Sequence, residues 1–240
     1  MKSEYLESVL NDADIMTFGS NAEDDFLTAL EQIDLDTMWS NVSTKSVAVH
    51  ELVGHEDVGS FEGAEADQIA DTLANTGLYI TVGDKSYLVG SSAIKSLQDR
   101  AQITGSGLSK LCKDDYATVL NRLLAVQSNQ SRVMARAGKV RFVASGDSKD
   151  YSVLPMAELV NATRDFLAEH FGTVQFEGGH FEHTLSTASW KPNINLFKVF
   201  PCFFAYIRKY FSQLLKRRFY EKLNRVCRNS RKYVLTKVWK

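Results

Sequence analysis

Apolar residues recur along this chain with two periods, and each period predicts a different element. Tyr5, Leu6, Val9 and Leu10 fall at helical spacing within residues 3–11, as do Phe26, Leu27, Leu30 and Ile33 within residues 23–33. Both stretches read as acidic amphipathic helices. Residues 45–53 alternate as a strand does. Residues 68–75 read as a short helix ending at Gly77, followed by two apolar runs, 78–82 and 86–89, joined by Gly83-Asp84-Lys85 as a hairpin. Helical period returns over 91–101 and 108–126, where Leu111, Val119, Leu120, Leu123 and Leu124 form the expected buried stripe. Residues 155–171 read as a helix stopped by Gly172, and 174–176 and 181–185 as strands flanking Gly178-Gly179. Helices and hairpins mixed without a repeated strand–helix–strand order predict the α+β class.

Between these elements, residues 132–136 and 139–144 make a second hairpin around Ala137-Gly138. A two-residue turn pairs Arg136 with Lys139, Met134 with Arg141 and Arg132 with Val143. Alternation then sends Val133, Ala135, Val140 and Phe142 to the core, and gathers Arg132, Arg136, Lys139 and Arg141 on the other face. Four cations so placed would attract a polyanion or an acidic surface. The alternative is an ordinary hairpin whose charges are satisfied by water or by the acidic N-terminal region. A one-residue slip in register would scatter the face.

Charge changes this picture, because the net value of −1 conceals a gradient. Residues 1–100 hold 5 Lys and Arg against 19 Asp and Glu, residues 101–190 hold 9 of each, and residues 191–240 hold 14 against the single acid Glu221. Such sorting implies either different partners for the two ends or contact between them. All 14 glycines lie at or before Gly179, and Pro192 and Pro201 punctuate the start of the basic stretch. The boundary is therefore placed near residue 190: an acidic-to-neutral α+β domain over 1–190 and a basic, aromatic-rich helical tail over 191–240. So abrupt a change is also what translation in a shifted frame produces.

Within the tail, Phe203, Ile207, Phe211, Leu214, Leu215, Phe219, Leu223 and Val226 are compatible with one helix face. Arg208, Lys209, Lys216, Arg217, Arg218, Lys222 and Arg225 fill much of the rest. A cationic amphipathic helix suits nucleic acid, an anionic membrane surface, a partner's groove, or docking onto its own domain. Aromatics interleaved with cations also suit stacked bases and phosphates of a single strand.

Candidate chemistry is sparse. His50 and His55 are five residues apart, whereas two zinc ligands on one helix face need a spacing of four. His180 and His183 fall on opposite faces of a strand and read as surface positions. Residues 104–110 lack the spacing of a phosphate loop and follow a helix. Cys112, Cys202 and Cys227 are too few for a disulfide framework or a zinc site, so a reducing, cytoplasmic compartment is expected. No apolar run approaches a membrane span of about 20 residues. No metal, cofactor or catalytic residue is implied, and the expectation is a protein that is not an enzyme.

The run Gly138-Lys139-Val140-Arg141-Phe142-Val143-Ala144-Ser145, then Asp147 and Tyr151, then a leucine-rich helix, resembles the phage- and plasmid-like proteins grouped as domain of unknown function 932. Arg141, Ser145, Asp147 and Tyr151 fill the family's arginine, serine, aspartate and tyrosine places, although residues 146–150 form a longer insert than the pattern has. The resemblance spans residues 75–190 and leaves out the tail. It implies a mobile-element setting and transfers no catalytic residue. The combined expectation is nucleic-acid or nucleoprotein binding through Arg132, Arg136, Lys139, Arg141, Arg208, Lys209, Lys216, Arg217, Arg218 and Arg225. The alternative is a protein-binding inhibitor of a host defence nuclease, acting through the acidic residues 1–100.

Overall fold

Apolar spacing sets the elements, and caps and turn residues set their ends. The computed structural model describes residues 4–105, 107–147 and 153–192, together with the backbone of residues 234–239. In chain order the elements are α1 (Glu4–Glu7), β1 (Met16–Phe18), α2 (Glu23–Leu35), β2 (Met38–Ser43), β3 (Val47–Glu51), α3 (Ala66–Asn75), β4 (Leu78–Val82), β5 (Lys85–Val89), α4 (Ser91–Arg100), α5 (Lys113–Ala125), β6 (Gln130–Arg136), β7 (Lys139–Ser145), α6 (Met156–Phe171), β8 (Val174–Phe181), β9 (Leu185–Pro192) and β10 (Val234–Trp239). The class is α+β, as the pattern predicts.

Two units share the chain: residues 1–14 with 35–151, and residues 15–34 with 152–240. The division falls within residues 1–190, and residues 193–233 of the tail expected beyond 190 lie outside the described residues. Its physical reason is strand pairing over long separations, since β1 joins β8 through Met16 and Phe181, a link that no local periodicity encodes.

The first unit is built on a six-stranded mixed sheet in the order β2-β6-β7-β5-β4-β3. β5 and β7 run parallel, with Leu88 opposite Lys139 and Val89 opposite Val140. One face carries the larger core: Val49, Ile80, Val89, Val133, Val140 and Val143 pack with Leu97 of α4 and Leu120 and Leu124 of α5. On β5 the neighbour of these residues, Leu88, belongs to a different apolar group with Leu52 and Phe61, against which Ile69 of α3 packs. The sheet is thus covered on both faces. At its β3 edge, Asn121 of α5 mimics a strand: its Oδ1 accepts from Val49 N–H at 2.7 Å and its Nδ2 donates to Val49 C=O at 2.7 Å.

Several element ends differ from the sequence pattern. α1 is a single turn, and Leu108–Lys110 form a separate 3-10 turn before Cys112, whose extended backbone precedes α5. Leu111 is accordingly exposed, and Tyr116 and Ala117 join the buried stripe instead.

The second unit has an antiparallel sheet in the order β1-β8-β9-β10, with α2 and α6. β8 runs straight through Gly178-Gly179, with an irregularity between Phe176 and Gly178, where the sequence pattern places a break. A side chain at Gly179 would meet the Phe26 ring at 2.6 Å, so glycine here admits a helix aromatic onto the strand. Phe26 stacks with Phe176, which meets Trp190 edge-on, and Trp190 Nε1 donates to Glu23 at 2.7 Å. His183 lies beyond β8 and is buried, not at the surface. Asp34 accepts from the Ala157 N–H at 2.9 Å, which satisfies an otherwise orphaned donor in the first turn of α6.

Candidate functional site

The hairpin of β6 and β7 turns at Ala137-Gly138, with φ of 51° and 72°, the left-handed pair that a two-residue hairpin turn requires. Arg136 pairs with Lys139 and Ala135 with Val140, as the pattern predicts. Beyond them the register shifts between Met134 and Ala135, so Met134 lies opposite Phe142, Val133 opposite Val143 and Arg132 opposite Ala144. One extra residue on β7 re-aims everything after it. This bulge places Val143, in place of Phe142, in the main core.

The expected open cationic face is corrected here. Arg136, Lys139 and Arg141 are 1%, 0% and 1% exposed. The alternation that separates them from the core holds on β7, where Lys139 lies opposite Leu88. That face, however, is covered by α3 and by the segment of residues 4–14, and both bring acceptors. Lys139 Nζ meets Asp71 of α3 in a short ion pair and lies 3.9 Å from Asp12 Oδ1. Arg141 Nη1 donates to Asp12 Oδ1 at 2.5 Å, and its Nη2 donates to Leu10 C=O at 2.7 Å. Arg136 Nε donates to Thr37 Oγ1 at 2.8 Å. Arg132 remains nearer the surface, where its Nε donates to Asn41 Oδ1 at 2.9 Å. Arg208, Lys209, Lys216, Arg217, Arg218 and Arg225, with the helix expected around them, lie outside the described residues.

Asp12 is the centre of the cluster. Its Oδ2 accepts from both the Ser91 N–H and the Ser91 Oγ at 2.7 Å, at the first residue of α4. Its own N–H donates to Asp71 Oδ2 at 3.1 Å. Burial raises the Asp12 pKa, but the two Ser91 hydrogen bonds and then Arg141 and Lys139 outweigh it, leaving the carboxyl below its usual value. Burial pulls the Arg141 guanidinium below its ordinary value, with Asp12 opposing. Leu10 C=O also accepts from Gln68 Nε2 at 3.0 Å, and the same amide nitrogen reaches Ala137 C=O at 2.7 Å. Two glycines make room. A side chain at Gly90 would stand 3.0 Å from Arg141 Nη1, and one at Gly138 would stand 2.4 Å from the Ala64 Cα.

No family model, curated protein or solved structure matches the chain.

The sequence reading missed Asp12, Asp71, Ser91 and Gln68. A signal for the α3 residues was present: Gln68, Asp71 and Thr72 fall at the spacing of one helix face, and Gln68 and Thr72 are fully buried. His50, rejected as a zinc ligand, stacks on Tyr79 and hydrogen-bonds Thr81 Oγ1 at 3.1 Å. Among the described residues no group of three His, Cys, Asp or Glu side chains is placed to hold a metal ion, and no helix is long and apolar enough to cross a membrane. Chemically, the cluster is a ring of fixed charges and donors around a carboxylate.

Proposed function

We propose that this is a non-enzymatic cytoplasmic protein of a mobile element that binds nucleic acid, free or in a nucleoprotein, through the cations of residues 191–240. The observation that carries the reading is charge sorting: 14 Lys and Arg stand against one acid in that stretch. Residues 1–190 hold 14 Lys and Arg against 28 Asp and Glu, and Arg136, Lys139 and Arg141 are buried. That body repels a polyanion, so the grip is assigned to Arg208, Lys209, Lys216, Arg217, Arg218 and Arg225. The mobile-element setting rests on the resemblance over residues 75–190.

The test is the affinity of the full chain for single- and double-stranded DNA across a salt series. Six phosphate contacts give a slope of log affinity against log salt of about −4 for single strands and about −5 for duplex. Replacing the six tail cations by glutamine flattens the slope, while Arg132→Gln leaves it nearly unchanged. Salt-independent binding, or a slope indifferent to the tail, removes the reading.

A second reading, engagement of a basic host protein such as a defence nuclease, is favoured by the acidic excess of residues 1–100 and by the exposed Asp24 and Asp25 in the first turn of α2. Reversing Asp24 and Asp25 to lysine in the full chain then abolishes capture of the nuclease. Asp34 is left intact in this test because it caps α6.

A further inference from the structure

We infer that the Asp12 cluster is an oxyanion cradle occupied by the protein's own chain, with residues 4–14 as a strap that a phosphate group can displace. The inference is independent of the tail. Three oxygens of the strap fill the cradle. Asp12 Oδ1 takes Arg141 Nη1, Asp12 Oδ2 takes the Ser91 N–H and Oγ, and Leu10 C=O takes Arg141 Nη2 and Gln68 Nε2. Two of these oxygens sit on the two arms of one guanidinium fork, the arrangement that also receives two oxygens of a phosphate. The third interaction set is at the N-terminus of α4, where the Ser91 N–H and hydroxyl meet the anion at the positive end of the helix.

The cations that would face such an anion are built in. Lys139 and Arg141 have fully buried side chains on a central strand, and Arg141 Nε is buried with no hydrogen-bond partner. The glycine at position 90 keeps the guanidinium close to the helix start. The strap, by contrast, belongs to neither sheet. It is held by the contacts just named, by the Asp12 N–H on Asp71, by the fully buried Val9, and by a small apolar group of Leu6, Leu10 and Ala137 separate from the main core. Removing the strap frees the two Ser91 donors and both Arg141 Nη groups, while Gln68 Nε2 keeps its bond to Ala137 C=O and Asp71 is left to hold Lys139. A phosphate dianion brings more charge and more acceptor oxygens than the carboxylate it replaces. It therefore shifts the strap toward its released state by its preference for that state.

The experiment is amide hydrogen exchange of the full-length protein in inorganic phosphate, in a nucleoside 5′-monophosphate, and in sodium chloride of matched ionic strength. Exchange over residues 4–14 is expected to quicken by at least about threefold in phosphate, with α5 unchanged as the internal reference. Acceleration by inorganic phosphate identifies the free ion as sufficient. Acceleration by the monophosphate alone identifies an ester-borne phosphate. Equal exchange in all three solutions overturns the inference. A second measurement locates the site: Asp12→Ala gains thermal stability in inorganic phosphate but not in chloride, and Asp12→Ala/Arg141→Gln loses that gain. A gain that survives in the double variant also overturns it. Should Asp12→Ala fail to fold, the exchange measurement on the unaltered chain decides.

Discussion

The two faces of the six-stranded sheet are closed by different physics. Toward α4 and α5, the strands present Val49, Ile80, Val89, Val140 and Val143, and closure is apolar burial. Toward α3 and the strap, Leu52, Phe61, Leu88 and Ile69 supply an apolar part, but β7 presents Lys139 and Arg141, and closure over them needs Asp71 and Asp12 from far along the chain. An apolar face accepts any well-packed hydrophobic partner. A charged one accepts only groups of the right sign at the right place, because an unpaired buried charge costs far more than a small void. The second face therefore constrains the fold more tightly while contributing less net stability.

Breaking the charged face should give the largest effect. Asp12→Ala leaves Arg141 without a carboxylate, and the expected loss is about 3 kcal/mol, at the lower end of values for a broken buried pair because Asp71 still accompanies Lys139; chemical denaturation measures it. Gly138→Ala comes next, at about 2 kcal/mol, since it combines a left-handed backbone with a collision against Ala64. On the apolar face, Ile80→Val removes one methylene group from a fully buried site and should cost about 1 kcal/mol in the same assay. A gain, or no change, from Asp12→Ala would mean that the face tolerates an unpaired cation, and the contrast would fail.

The smallest effect is a titration. The Asp12 pKa is lowered by folding, so its contribution is complete above the ordinary carboxyl value and lost as pH falls through the lowered one. Unfolding midpoints measured at descending pH should therefore fall more steeply for the unaltered protein than for Asp12→Asn, which has no carboxyl to protonate. Parallel curves would place the acid sensitivity elsewhere.

Much of this architecture can be read from spacing alone. α2, α3, α4 and α6, both hairpins and the Ala137-Gly138 turn all follow from local period and turn chemistry. What escapes is what depends on distant partners. β2, whose sequence Met-Trp-Ser-Asn-Val-Ser does not alternate apolar with polar, is a strand because β6 lies beside it. The bulge on β7 opposite Met134 and Ala135 is invisible to alternation, yet it decides that Val143 and not Phe142 enters the core. The hairpin cations separate correctly from the main core, but the sequence cannot say that a helix begun at Ala66 brings Asp71 over them. A charged face read from a single hairpin is therefore a statement about side, and exposure is decided by whatever else folds across it.

The Asn121 amide against Val49 has a consequence for self-association. A free strand border invites another chain to continue the ladder, which is how sheets recruit neighbours into fibrils. Here a helix side chain counterfeits the next peptide unit at the middle of β3, so an incoming strand finds the central docking point, Val49, already taken. Growth of the sheet on that flank would first require prying α5 off the protein.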